Sequence, residues 1–277
     1  YARESLWDRL GLRPQPGPQT DFLKSEADIT IYGGAAGGGK SFGLLLAPLQ
    51  WIHVPGFGAV IFRRTTTQVR AEGGLWDESQ EMYSHLNGTP REQQLEWRFP
   101  SGAAVSFAHM EWERNRYDWQ GSQICLIGFD ELTHFSRTQF FYMLSRNRST
   151  CGVRPRIMAT TNPDADSWVA EFIAWWIDQE TGFPIPERAG VLRWFVQFGD
   201  ELVWADSAED LTARYPDAVP TSVTFIPAKL DDNPALTSKD PGYRGRLMAL
   251  DRVERERLAN GNWKIRPVAG MYFRREW

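Results

Sequence analysis

YGGAAGGGKSFG, residues 32–43, places six glycines in twelve positions and then commits to a lysine and a hydroxyl side chain. Glycine loses more backbone entropy on folding than any other residue, so a run of it marks a place where the bare backbone is needed. The spacing Gly34-x-x-x-x-Gly39-Lys40-Ser41 is that of a phosphate-binding loop. In such a loop the backbone N–H groups of Gly34, Ala35, Ala36, Gly37, Gly38 and Gly39 wrap an anion, and the following helix aims its positive end at the same charge. Lys40 is then expected to reach the β- and γ-phosphates of ATP, and Ser41 to hold Mg2+ through its hydroxyl.

The flanking sequence fits that reading. DITIYG (28–33) is a short apolar run, expected as a buried strand ending at the loop, and residues 39–54 read as a helix despite Pro48. Further buried strands are expected at 56–64, 124–131 and 154–163, with helical stretches at 67–86, 137–146 and 166–180. Residues 95–110 read as two strands joined at Pro-Ser-Gly, and 191–206 as a hairpin. Strands alternating with helices imply an α/β fold: a P-loop NTPase with a mostly parallel central sheet flanked by helices. After about residue 185 the pattern changes, and 242–263 reads as one or two short charged helices, a small C-terminal helical subdomain.

A second half of the site is expected where CLIGFDE (125–131) ends in two carboxylates. Asp130 is placed to hold Mg2+ through water, and Glu131 to polarise the attacking water as general base. A neighbouring strand ends in Thr160, Thr161 and Asn162, polar groups that could sense the γ-phosphate. Strand-end capping by small polar residues is the alternative. Asn162-Pro163-Asp164 lacks the lysine of a guanine-reading run, which argues against a GTPase.

Composition narrows the rest. Of 277 residues, 42% are hydrophobic and 24% charged, ordinary for a globular chain, while thirteen Trp promise aromatic packing. The net charge of −4 excludes a constitutive basic DNA coat and leaves any nucleic-acid contact local or transient. No apolar run approaches the ~20 residues of a membrane span, and no signal peptide is evident. Two cysteines, Cys125 and Cys151, give no disulfide framework and suggest a reducing compartment. Four scattered histidines lack zinc-ligand spacing. The chain starts at Tyr1 rather than Met, which reads as a trimmed piece.

The ordered segments PQTDFL, YGGAAGGGKS, IFRRT, YDWQGSQICLIGFDELTHF, YMLSRNR, ATTNPDADSWVAEF, FIPAKLDDNPAL and ERLANGNW together resemble the N-terminal ATPase domain of phage large terminases, the DNA-packaging motors of tailed bacteriophages. The resemblance runs from about residue 15 to 277. It implies an ATPase core with an N-terminal arm over 1–200, the last sheet elements and a linker or lid over 201–265, and over 266–277 the connection to a nuclease domain. Because GMYFRREW (270–277) resembles that domain's start, the piece is expected not to cut DNA.

The resemblance further implies that Gln19 reads adenine, with Gln15 competing, and that Thr160, Thr161 and Asn162 couple hydrolysis to movement. Implied partners are double-stranded DNA, a portal protein, a small terminase subunit and other copies of the chain. Those copies form a ring, commonly a pentamer on the portal, while a monomer is plausible in solution. The setting is the host cytoplasm, without a membrane. The charge that develops on the γ-phosphoryl oxygens calls for an arginine from a neighbouring subunit, with Arg114 or Arg116 favoured over Arg146 and Arg148. Rival readings are another P-loop DNA-dependent ATPase such as a helicase or repair enzyme, a nucleotide-dependent switch protein, and a small-molecule phosphotransferase.

Overall fold

The apolar runs that bracket the glycine loop and the carboxylates become strands of one sheet in the computed structural model, which describes residues 12–267. The ten strands are β1 (Ile29–Gly34), β2 (Gly58–Arg63), β3 (Thr89–Arg91), β4 (Glu96–Arg98), β5 (Ala104–His109), β6 (Leu126–Phe129), β7 (Arg156–Thr161), β8 (Arg193–Phe198), β9 (Glu201–Ala205) and β10 (Thr221–Ala228). Their order is β3-β4-β5-β2-β6-β7-β1-β10-β8-β9. The central six, β5 to β10, run parallel. Antiparallel pairs close both edges: β3 and β4 beside β5, and the β8–β9 hairpin beside β10.

Strand alternation divides the core in two. Tyr32, Ile61, Val105, Leu126, Met158 and Ile226 face one side, packed with Phe22 and Leu44–Leu46. Ile31, Phe62, Phe129, Ile157 and Phe225 face the other, with Phe140, Phe172 and Trp176. The parallel strands are buried on both faces, which is why they read as continuous apolar runs.

The helices among the described residues are α1 (Pro18–Lys24), α2 (Lys40–Leu46), α3 (Thr66–Arg70), α4 (Leu75–Tyr83), α5 (Arg137–Leu144), α6 (Trp168–Phe172), α7 (Ala208–Arg214), α8 (Pro234–Lys239), α9 (Tyr243–Met248) and α10 (Arg252–Leu258). Three helical expectations need correction. The stretch expected over 67–86 is two helices, α3 and α4, parted at Gly73 and Gly74. The helix expected over 39–54 is α2 followed by a 3-10 turn, Ala47–Gln50, because Pro48 cannot supply the N–H that would continue it. The helix expected over 166–180 stops at Phe172 and gives way to a 3-10 turn at Ala174–Trp176. There the indole rings of Trp175 and Trp176 stack edge to face.

One central strand went unread: β10 lies beside β1 and pairs with it through Gly34↔Ala228. The sheet runs on through 200/201, which falls in the turn of the β8–β9 hairpin, where Phe198 pairs with Glu201. The 270–277 segment lies outside the described residues. Among the described residues no helix is long and apolar enough to cross a membrane.

Phe225 is fully buried in β10 while Val219, just ahead of it, is 86% exposed. Phe225→Ala is expected to cost about 3–5 kcal/mol in urea unfolding, and Val219→Ala less than about 0.5 kcal/mol. Equal effects would remove β10 from the core.

Candidate active site

β1 stops at Gly34, where φ is 147° and any Cβ would meet the Ala228 carbonyl oxygen at 2.2 Å. Only glycine lets β1 lie this close to β10 as the chain turns. Gly37 has φ of 77°, and a Cβ there would strike the Tyr243 ring at 2.6 Å and Leu230 at 2.8 Å. The loop is tied down at its start: Ala35 N–H donates to Ala228 O (2.9 Å) and Ala36 N–H to Leu258 O (2.7 Å). From Gly37 to Ser41 the backbone N–H groups donate to no protein atom among the described residues. They open onto a pocket of about 320 Å3 lined by the loop, Glu131, Asn162 and Asn233.

Lys40 opens α2 and is 6% exposed. Its ammonium donates to the loop's own carbonyls, Ala35 O at 2.5 Å and Gly34 O at 3.3 Å. Burial lowers its pKa from the ordinary lysine range to about 8, against the opposing pull of Glu131 and Asp130. A phosphate would offer this cation better acceptors than two neutral carbonyls.

Asp130 follows β6 and is 2% exposed. Its Oδ1 accepts from Ser41 Oγ (2.9 Å) and Thr160 Oγ1 (2.6 Å), and its Oδ2 pairs with Arg63 from the end of β2. The Ser41 hydroxyl and Asp130 carboxylate are adjacent hard oxygen donors, the kind Mg2+ takes while keeping most of its waters. The fit is good: a carboxylate already held against a guanidinium is built to face positive charge.

Glu131 adopts the left-handed region, φ 60° and ψ 64°. Asn162 grips both of its carboxylate oxygens, Nδ2 to Oε1 at 2.8 Å and backbone N–H to Oε2 at 3.2 Å. Thr160 Oγ1 also accepts from Glu131 N–H (3.3 Å). The strand-end trio therefore divides. Thr160 and Asn162 hold the two carboxylates, while Thr161 bonds to Asn162 O (2.9 Å) and faces Thr133.

Gln19 is brought to the loop, 1% exposed, with Nε2 donating to Gly39 O (2.7 Å) and Oε1 accepting from Gln15 N–H (2.6 Å). Its amide is committed to protein at both ends, and Gln15 enters only through its backbone. The arginines are not brought to the pocket. Arg114 is exposed, and Arg116 bonds to Glu113 (2.8 Å) and stacks on Tyr117. Both sit in a 3-10 segment, Glu113–Trp119, which follows β5 on the sheet edge that carries the phosphate loop. Gln139 pins its start by donating to Met110 O and Trp112 O. Arg148 lies at the opposite edge, its backbone N–H on Ile124 O ahead of β6.

Sequence reasoning assigned no role to Arg63, Tyr32 or Asn233. Tyr32 donates its hydroxyl to Gly38 O (2.9 Å), and Asn233 Nδ2 donates to Gly37 O (2.8 Å). Only the matched segments IFRRT, YGGAAGGGKS and FIPAKLDDNPAL pointed to their neighbourhoods.

Comparison with known families gives one match across most of the chain: the N-terminal part of the T4likevirus-type terminase large subunit, over residues 31–277. The chain belongs to this terminase family. Comparison with curated proteins gives no significant match. Among solved structures it is similar to the large terminase of a thermophilic bacteriophage in complex with ADP, at 12% identity and TM-score 0.58, covering 89% of this chain and 53% of that one. It is also similar to the large terminase ATPase domain of a Thermus phage, at 14% identity and TM-score 0.59, covering 94% and 97%. At such identities the likeness is one of fold. The terminase-family chain thus spans about half the length of the first of these relatives.

Burying charged Lys40 costs the folded state stability at neutral pH, about 3 kcal/mol for a fall from 10.5 to about 8. Between those values the unfolded chain binds more protons than the native one, so this cost is relieved as pH rises. Unfolding free energy of the parent protein should therefore gain on that of Lys40→Met from about pH 8 to 10.5. Parallel curves would rule out a depressed Lys40 pKa.

Proposed function

We propose that this terminase-family chain binds Mg·ATP in the 34–41 loop and hydrolyses it to drive double-stranded viral DNA into a procapsid. The observation that carries the reading is the convergence of Lys40, Ser41, Asp130, Glu131 and Asn162 around one loop of free N–H groups.

In this reading the amides of Gly37 to Ser41 and the Lys40 ammonium hold the phosphate chain. Ser41 and Asp130 hold Mg2+, which supplies neutralisation of the phosphate oxygens. The Lys40 ammonium, which now rests on the Ala35 carbonyl, would turn to the phosphates, and Asp130, paired with Arg63, would be the carboxylate that holds the cation. Glu131, fixed by Asn162, accepts a proton from the water that attacks the γ-phosphorus. The bond to the bridging oxygen then breaks, leaving ADP and phosphate. Because Asn162 grips the base directly, a change at the γ-phosphate reaches β7 through one side chain, a route by which hydrolysis couples to movement.

The motor reading brings its partners with it: duplex DNA, a portal protein, a small terminase subunit and further copies of the chain in a ring, all in the host cytoplasm. Arg114 or Arg116, on the edge of the sheet that carries the loop, supplies the guanidinium in trans to a neighbour's γ-phosphate.

Phosphate release under saturating Mg·ATP tests the site. Lys40→Ala should abolish turnover while the circular dichroism spectrum is kept. Glu131→Gln should bind ATP and hydrolyse it ~10²-fold more slowly. Unchanged turnover in either variant would remove that residue from the chemistry.

Mixing tests the trans arginine. Lys40→Ala subunits added to Arg116→Ala or Arg114→Ala subunits under ring-forming conditions should restore activity. Absence of recovery, with assembly confirmed by sedimentation, would reject this placement.

A further inference from the structure

Three successive carbonyls of the phosphate loop are each held by a side chain from outside the loop. Gly37 O accepts from Asn233 Nδ2 at 2.8 Å, Gly38 O from Tyr32 OH at 2.9 Å, and Gly39 O from Gln19 Nε2 at 2.7 Å. Three different elements supply these donors: the residue capping α8, the middle of β1, and α1. No peptide bond in the described chain is cis. In a trans peptide the C=O of one residue and the N–H of the next point in opposite directions across one rigid plane. A donor that fixes the carbonyls of Gly37, Gly38 and Gly39 therefore also fixes where the N–H groups of Gly38, Gly39 and Lys40 point, and that direction is away from the donors.

We infer that Tyr32, Asn233 and Gln19 are positioning residues that set the phosphate loop's N–H groups in their anion-binding orientation before nucleotide arrives. The proposal rests on the nucleotide-binding reading above and adds to it the residues that shape the cradle. A loop containing three consecutive glycines has many accessible conformations. Without external restraint its ordering would be charged against binding. The donors suit that task. Tyr32 is fully buried, stacked on Phe22 at 5.2 Å between ring centres. Burial, with Asp232 and Asp21 adding to it, holds its hydroxyl protonated far above the ordinary tyrosine range, so it remains a donor. Asn233 is fixed by a second bond, its Oδ1 accepting from Leu236 N–H (3.3 Å) as the cap of α8. Gln19 is fixed by Gln15 N–H. Each donor thus has its own anchor and gives the loop a single arrangement.

Asn233 carries a further consequence. It belongs to the C-terminal segment whose Leu258 O also takes the Ala36 N–H (2.7 Å), so the loop's shape is set partly by chain far along the sequence. A shift of that segment would release the Gly37 carbonyl and loosen the cradle.

The test is Mg·ADP binding by isothermal titration, with steady-state ATP turnover alongside. Tyr32→Phe removes one hydroxyl and keeps the ring. Asn233→Ser keeps a helix cap but is too short to reach Gly37. Each should weaken Mg·ADP binding about five- to tenfold, the loss of one preorganising hydrogen bond. KM for ATP should rise by a similar factor while kcat stays within about threefold. A purely structural role would lower the melting temperature and leave the folded protein's affinity and KM unchanged. Affinities within twofold of the parent in both variants would overturn the proposal while the nucleotide-binding reading stands. Failure of the parent chain itself to bind Mg·ADP would overturn both. Should Tyr32→Phe fail to fold, Asn233→Ser, at a half-buried position, decides alone.

Discussion

Asp130 is the buried charge around which the site is organised. An ionised carboxylate at 2% exposure is tolerated only if its oxygens are met by donors or cations. Here the donors come from three places: Ser41 at the start of α2, Thr160 in β7, and Arg63 at the end of β2. β2 and β7 flank β6 in the sheet, so one side chain ties three adjacent strands to the phosphate-loop helix. Loss of Asp130 would leave an arginine and two hydroxyls without their common acceptor, and the ends of β2 and β7 would lose the side chain that links them to α2. The strand leading to Asp130 is apolar because β6 lies between β2 and β7 with both faces buried.

The loop beside it solves the opposite problem. Asp130 needs to be surrounded, whereas the loop N–H groups need to be left available. Unpaired buried N–H groups cost free energy, and the structure limits that cost by opening them onto a pocket while satisfying every carbonyl from Gly37 to Gly39 from behind. Lys40 follows the same logic. It rests on the neutral carbonyl of Ala35, and burial lowers its pKa to about 8. A buried cation beside unsatisfied donors is an arrangement that an anion stabilises.

What the sequence made legible was what adjacency in the chain controls. Strand, glycine loop and helix follow one another within 29–46, and a buried strand ending in two carboxylates is visible in CLIGFDE. The strand ends at 130–131 and 160–162 could be placed together because parallel strands put their C-terminal ends on one edge. The misses were long-range. β10 escaped because TSVTFIPA mixes hydroxyls with apolar residues and carries a proline, although its Thr224 and Ser222 prove buried. Thr224 is satisfied by Val191 O and Ser222 by Asp28, partners that no local pattern announces. Arg63 and Asn233 reach the site from 67 residues before Asp130 and 196 residues after Gly37. Their segments could be matched, but the local pattern does not say that these side chains cross to Asp130 and Gly37.

The two consecutive carboxylates raise a last geometric point. In a regular strand, neighbouring side chains point to opposite faces, so Asp130 and Glu131 could not both serve one site if β6 simply continued. The strand ends at Phe129, and Glu131 takes φ of 60°, a conformation that costs a non-glycine residue roughly 1–2 kcal/mol. That turn breaks the alternation. It sends Asp130 to Ser41 and Glu131 to Asn162, both near enough to Lys40 to oppose its loss of a proton. Glycine would relieve the strain but remove the carboxylate. Asparagine would tolerate the backbone better, yet its shorter, uncharged amide could not reach Asn162 in the same way. The strained residue is therefore retained at the position where side-chain chemistry outweighs backbone preference. Asn162, by bonding both oxygens, contributes the interactions that hold it there.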